Sequence, residues 1–182
     1  NCYSQRFFDI CKKHNLIIIG DHCESHGTTY NGQKLGGLDE EYVSNFSFFM
    51  AHHMTSICGG MICTNDKNLY NHLRSYRSHS LVREIDDEEL KNTIINQNPT
   101  CNPDFLFLTP GYNMRSTEIG GVIGLYQLEN KLDKNNERRQ DNYRYFMERL
   151  DGNKYFNHHD VEMAGQCNYA FTVILKNGDR DK

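Results

Sequence analysis

The chain has 182 residues, with 20 Lys and Arg against 24 Asp and Glu and a net charge of -4. No basic cluster offers a footprint for a phosphate backbone, which argues against a nucleic-acid binder. No apolar run approaches the ~18 residues of a membrane span, and no signal peptide is visible, so a cytoplasmic protein without membrane attachment is expected. Seven cysteines, an odd number with no CxxC pair, fit reduced thiols better than a disulfide scaffold or a metal site. The chain has no initiator methionine and stops soon after a predicted strand, so it reads as an internal fragment of a longer protein.

Along the chain, helices and strands alternate. Ser4 to His14 places Phe7, Phe8, Ile10 and Cys11 at near-helical spacing and closes on a Lys-Lys-His turn suited to a helix C-terminus. Leu16 to Ile19 is a short apolar run of the kind buried on both faces of a parallel sheet. Val43 to Phe49 and Gly60 to Thr64 read as further strands, and Asn65 or Asp66 then caps a helix carrying Leu69, Leu73 and Tyr76. Asp86 to Asn96 predicts a helix with acids in its first turn, followed by a loop from Asn98 to Pro103. Thr117 to Leu150 reads as one long helical pattern, with Ile119, Ile123, Leu125, Leu128 and Leu132 on or near one stripe. Tyr169 to Leu175 reads as a strand of a second domain. The alternation predicts an α/β architecture.

Two segments carry chemistry. Phe46-Ser47-Phe48 leads to His52-His53-Met54-Thr55 and then to Cys58-Gly59-Gly60. Ile19-Gly20-Asp21-His22-Cys23-Glu24-Ser25-His26-Gly27 puts Asp21 at the end of an apolar strand, where open α/β sheets place ligands. From pattern alone Asp21 is equally a turn aspartate, Ser47 an ordinary hydroxyl and His52 a structural histidine. His22 and His26 lie four apart, but Cys23 stands where a zinc HExxH motif needs glutamate, so no metal is expected.

The first segment resembles the F-S-F-x-x-x-K-x-x-T-x-G-E-G-G stretch of the fold type I, pyridoxal-phosphate-dependent sugar aminotransferases of the DegT/DnrJ/EryC1/StrS family. The second resembles that family's E-D-x-A-x-x-x-G stretch. A third, Gly111-Tyr112-Asn113-Met114-Arg115-Ser116-Thr117-Glu118, resembles its G-Y-N-x-R-x-T-E stretch, followed by Gly124-Leu125-Tyr126-Gln127-Leu128. The resemblance implies a mainly parallel sheet flanked by helices. Residues 1–128 would be the C-terminal part of the large cofactor domain, 129–150 a connecting helix, and 151–182 the beginning of a small C-terminal domain.

The resemblance also implies roles. Asp21 meets the pyridine nitrogen, Glu24 lies near the ring hydroxyl, and Ser47 binds the cofactor phosphate. Asn113 reaches the phosphate of the other subunit of a homodimer with a shared active site, and Arg115 pairs with anionic substrate or with Glu118. His52 occupies the lysine's place. An imidazole moves protons but cannot hold the cofactor covalently, which points to the histidine-bearing nucleotide-sugar 3-dehydratases. Only Cys101 lies between Arg74 and Asn113, so a four-thiolate cluster cannot be built there. The cluster-free branch acting on GDP-4-keto-6-deoxymannose in colitose and O-antigen synthesis is therefore expected, with L-glutamate as amino donor and pyridoxal and pyridoxamine phosphate as cofactor forms. An aminotransferase and a non-catalytic relative are the alternatives, the latter because Cys58 replaces the family's acidic residue.

Overall fold

The computed structural model describes residues 3–152, 156–157 and 164–176. The chain divides into two compact units, residues 1–62 with 119–182 and residues 63–118.

The first unit starts with α1 (Gln5–Lys13), whose N-cap Ser4 accepts from the Phe7 N–H and whose last turn holds Lys12 and Lys13. Its inner stripe packs Phe8 and Cys11 against Ile18 and Leu38, with Tyr3, Phe7, Tyr30 and Leu35 around them. Burying a side chain such as Phe8 stabilises the fold by about 1.5–3 kcal/mol. The first strand falls later than the apolar run: β1 covers Ile19–Asp21, and only Ile18 of the run is buried, with Ile17 at 70% and Ile19 at 69% exposure. Hydrophobicity marked the strand, but only the face of Ile18 is packed, against Phe8, Cys11 and Leu38, while the face of Ile17 and Ile19 is exposed among the described residues.

A hairpin of β2 (Thr29–Tyr30) and β3 (Gln33–Lys34) follows. β4 (Val43–Ser47) runs parallel to β1, in the register Ile19–Val43, Gly20–Ser44, Asp21–Asn45. With β5 (Gly60–Cys63) it forms a sheet of order β1-β4-β5.

In the second unit α2 (Lys67–Tyr76) is capped by Asp66, which accepts from the Leu69 N–H. α3 (Glu88–Gln97) is capped by Asp87, with Glu88 and Glu89 in its first turn. Val82, Ile85 and Leu106 form the core there, with Ile94 and Ile95 packed against them.

The long helical pattern is two helices belonging to the first unit except for the opening Glu118, α4 (Glu118–Asn130) and α5 (Leu132–Leu150). They part at Lys131, whose φ of -127° leaves the helical range. The expected stripe does not form a buried face on α4, where no residue is buried; Leu132, on α5, is. α5 buries Leu132, Asn136 and Tyr143. The Asn136 amide donates to the His26 carbonyl at 2.8 Å. Gly27, at φ +84°, makes that approach possible, since a Cβ there would come within 2.5 Å of the amide nitrogen. Only Ile174–Leu175 of the predicted 169–175 strand is a strand, β7, paired antiparallel with β6 (Phe156–Asn157).

The described cysteines, Cys11, Cys23, Cys58, Cys63, Cys101 and Cys167, are all free thiols.

Candidate functional site

Asp21 is the last residue of β1, and the parallel register sets it opposite Asn45. The Asn45 amide donates to Asp21 Oδ1 at 2.9 Å, and the Cys23 N–H donates to the same oxygen at 3.2 Å. The Cys23 thiol is a further donor to the carboxylate. Donation from Cys23, then Asn45 and the nearby His22, holds the Asp21 carboxyl below its ordinary range. Asp21 and Glu24 both line a cavity of about 1000 Å³ bounded also by Leu16, Ile18, Tyr143 and Tyr169. An ionised carboxylate facing a cavity at a strand's carboxyl end suits a protonated heterocyclic nitrogen.

Ser47 ends β4, and its hydroxyl accepts from the Phe49 N–H at 3.2 Å. A hydroxyl so placed still has its own proton to donate to an anionic oxygen. From there the chain turns through 48–59. The His52 N–H bonds the Phe49 carbonyl at 3.0 Å, and the Ser56 N–H returns to the Phe48 carbonyl at 3.0 Å. The turn thus brings His52 back toward the strand end that carries Ser47.

His52 Nε2 stands 3.7 Å from Glu24 Oε1, within ion-pair range but too long for a hydrogen bond. The His52 side chain is 14% exposed and Glu24 53%. His52 Nδ1 is buried without a hydrogen-bond partner among the described residues. An imidazole with one nitrogen near a carboxylate and partial access to solvent has the means to accept and return a proton.

Next to it, His26 and His53 are buried at 4% and 6% exposure. Desolvation pushes both down to about 4, so they are neutral near pH 7. His53 Nε2 lies 3.3 Å from the Cys167 carbonyl, and His26 packs between Phe46 and Phe48. These are packing histidines, while His52 keeps access.

Tyr169 was not singled out as a site residue by its sequence context. Its ring lies 5.8 Å from those of both His52 and His53. Arg139 donates to the carbonyls of Asn168 and Tyr169 at 3.5 and 3.4 Å, fixing that segment from α5. Only its aromatic character, in a segment read as a strand, could have drawn attention to it.

Asp21, Glu24, Ser47 and His52 thus fall within the first unit. Asn113 and Arg115 lie in the second. Asn113 is exposed and bridges to Ser78, and the Met114 N–H bonds the Arg77 carbonyl at 2.8 Å. The Arg115 Nε–H donates to Ser78 Oγ at 2.9 Å, and its terminal nitrogen is 3.9 Å from Glu84. Its acidic neighbour is therefore Glu84 rather than Glu118.

The pattern of the DegT/DnrJ/EryC1/StrS aminotransferase family matches residues 2–182. The chain belongs to that family. It is 32% identical over 164 residues to a GDP-4-keto-6-deoxy-D-mannose 3-dehydratase of Escherichia coli O55:H7 (strain CB9615 / EPEC), covering 89% of this chain and 40% of that protein. A protein of the same name from Yersinia pseudotuberculosis is 34% identical over 169 residues, with coverage of 89% and 40%. The solved E. coli GDP-4-keto-6-deoxy-D-mannose 3-dehydratase with bound hydrated PLP matches with a TM-score of 0.76 at 27% identity, over 96% of this chain and 43% of that one. The chain thus spans about 40% of the length of the curated relatives it matches. The expected α/β, fold type I aminotransferase-like architecture is the fold of this family member.

Proposed function

We propose that this family member takes part in the removal of the C3 hydroxyl from a nucleotide-linked 4-keto-6-deoxyhexose, with pyridoxal and pyridoxamine phosphate as cofactor and L-glutamate as amino donor. The observation that carries this reading is His52, standing where the aminotransferase pattern has its lysine. Relatives bearing the 3-dehydratase name at 32% and 34% identity support it, as does a solved relative with a trapped PLP-glutamate geminal diamine.

When bound, the cofactor supplies an electron sink conjugated to the sugar. The chain's residues do the rest. Asp21 holds a proton on the pyridine nitrogen with its carboxylate, which keeps the ring electron-withdrawing. Ser47 donates its hydroxyl to the phosphate, as does the Asn113 amide from a second copy of the chain. Glu24 lies near the ring hydroxyl and borders the His52 imidazole. With the cofactor bound, His52 would be the group that moves a proton at C4' and protonates the departing C3 hydroxyl. Arg115 contributes to substrate binding through whatever guanidinium surface its Ser78 and Glu84 contacts leave free.

The substrate in this reading is GDP-4-keto-6-deoxymannose, placing the protein in cytoplasmic colitose and O-antigen synthesis. The active form is a homodimer with a shared site, a reading helped by the exposed Ile119, Val122, Leu125 and Leu128 of α4. The domain reading stays with it: 1–128 belongs to the large cofactor domain, 129–150 connects, and 151–182 begins the small domain.

A second reading, nucleotide-sugar transamination, draws on 30% identity to the GDP-perosamine synthase of Caulobacter vibrioides (strain ATCC 19089 / CIP 103742 / CB 15), over 97% of this chain and 43% of that protein. Incubation with pyridoxal phosphate and glutamate, then with the GDP-keto sugar, separates the two. Ammonia release with a 3-deoxy ketone supports dehydration, and a stable amino sugar without ammonia supports transamination. No conversion to the pyridoxamine form would overturn both and favour a non-catalytic relative.

A further inference from the structure

Directly behind Asp21 lies a buried polar group that the roles above leave unused. Glu41 is 6% exposed and His22 3%. A carboxylate buried this deeply is strongly destabilising unless its oxygens are bonded. Here both are. The Tyr3 hydroxyl donates to Oε1 at 2.7 Å, His22 Nε2 meets the same oxygen at 2.5 Å, and the Gly36 N–H donates to Oε2 at 2.8 Å. Tyr3 and Phe46 pack around the imidazole, with ring centroids 6.1 and 5.5 Å from it.

The group is built into the strand that presents Asp21. A Cβ at Gly20 would come within 2.5 Å of both Glu41 Oε1 and His22 Nε2, so β1 passes close against the pair and admits no side chain there. The His22 N–H bonds the Asn45 carbonyl at 2.9 Å, and the Asn45 amide holds Asp21 Oδ1. His22 is thus pinned through its ring by Glu41 and through its backbone by Asn45. The adjacent Asp21 is left exposed toward the cavity. If the imidazole moved, the backbone of residues 21–23 would lose the anchor that aims the carboxylate.

We infer that Glu41 is a positioning residue: by locking His22 behind the end of β1, it fixes the Asp21 carboxylate in the place where it receives a protonated pyridine nitrogen. This rests on the proposed function, because Asp21 must face such a ring for its aim to matter. Glu41 touches neither cofactor nor substrate and acts through His22.

The test uses the purified protein with pyridoxal phosphate labelled with 15N in the ring. Binding is followed by the visible absorbance of the bound cofactor, and pyridine protonation by the 15N shift. Glu41→Gln keeps the size of the side chain and removes its charge. It should weaken cofactor binding at least about tenfold, as expected for losing one charge-assisted hydrogen bond. It should also move the 15N signal toward the unprotonated position. His22→Gln should do the same, and the double variant should be no worse than the stronger single one, since both act on one path. Tyr3→Phe, a gentler change, should give a smaller shift in the same direction and serves where Glu41→Gln does not fold. Unchanged affinity and 15N shift in folded Glu41→Gln or Tyr3→Phe, or additive losses in the double variant, would overturn the inference alone. Absence of cofactor binding by the unmodified protein would overturn the proposed function together with it.

Discussion

Gln127, on α4, clamps the backbone of Thr55 from both sides. Its side-chain oxygen accepts from the Thr55 N–H at 3.0 Å and its amide donates to the Thr55 carbonyl at 2.5 Å. The Gln127 amide also donates to the Ile123 carbonyl at 3.1 Å, which sets its rotamer within the helix. A residue distant in sequence thereby fixes the turn that carries His52, three positions earlier. Gln127→Ala removes both bonds and should cost about 1–3 kcal/mol. It should also speed amide hydrogen exchange selectively across residues 48–58. A lower thermal midpoint without faster exchange there would deny the clamp its place in the loop.

In the proposed function, His52 is the residue on which the reaction type turns. His52→Asn should retain bound pyridoxal phosphate, because the imidazole does not tether it, while ammonia release falls about 10²–10⁴-fold with the loss of the general base. His52→Lys should bind the cofactor covalently, detectable by borohydride trapping and mass spectrometry, and should suppress dehydration. Dehydration at the native rate in either variant would remove His52 from the mechanism.

The Asp21 carboxyl is held low by donation from Cys23, then Asn45. A depressed carboxyl stabilises the fold above its unfolded value and loses that contribution as pH falls through the folded one. Between about pH 5 and pH 9 Asp21 therefore stays ionised and should impose no pH dependence on cofactor affinity. Asp21→Asn cannot keep the ring nitrogen protonated and should shift the bound cofactor's spectrum at every pH. Equilibrium dialysis across that range, with spectra of both forms, checks this.

His26 and His53, pushed down to about 4 by burial, give a slope of the same sign for a different reason, since the fold disfavours their charged form. In the unfolded chain a histidine binds a proton near about pH 6.5. The unfolded state therefore holds more protons than the fold between about pH 6.5 and 4, and stability is lost as the solution is acidified through that window. Above it the two histidines contribute nothing to the slope. His26→Phe, at a ring whose nitrogens have no partner among the described residues, should flatten the dependence of thermal midpoint on pH there. An unchanged slope in that variant would mean that His26 takes up its proton in the fold as readily as out of it.

Ile57 sits at φ +75°, a left-handed conformation in which a β-branched side chain is strained. Its N–H is held by the Thr55 hydroxyl at 2.9 Å, and its side chain is 71% exposed, so little packing offsets the strain. Ile57→Gly should raise stability by about 1 kcal/mol. Denaturant unfolding measures it, and a loss of stability would show that the turn does not need that backbone shape.

Much of the local structure was legible because local physics decides it. Ser4, Asp66 and Asp87 stand immediately before their helices, and each accepts the backbone N–H that a helix start leaves free. β1 was misplaced by a few residues because apolar character marks what a strand could bury, not which neighbour is present to bury it. The break at Lys131 was invisible because Thr117 to Leu150 contains no proline to mark it. At the candidate site, Asp21, Ser47 and His52 could be named only through the resemblance of their motifs to the family's, since pattern alone left each with an ordinary structural role. Tyr169 and Gln127 reach the His52 turn only through folding of the first unit, and spacing carries no signal for contacts so far apart in sequence.

The sequence by itself determined the family, since the motifs that carry the resemblance are contiguous and need no tertiary contact to be read. It also determined most helix starts, which depend on the few residues at each cap. Only the tertiary structure decided that His52 would border Glu24 at 3.7 Å, that Gln127 would grip Thr55, and that Glu41 would stand buried behind Asp21. Each of those depends on where distant segments close on one another, and long-range packing sets that closure.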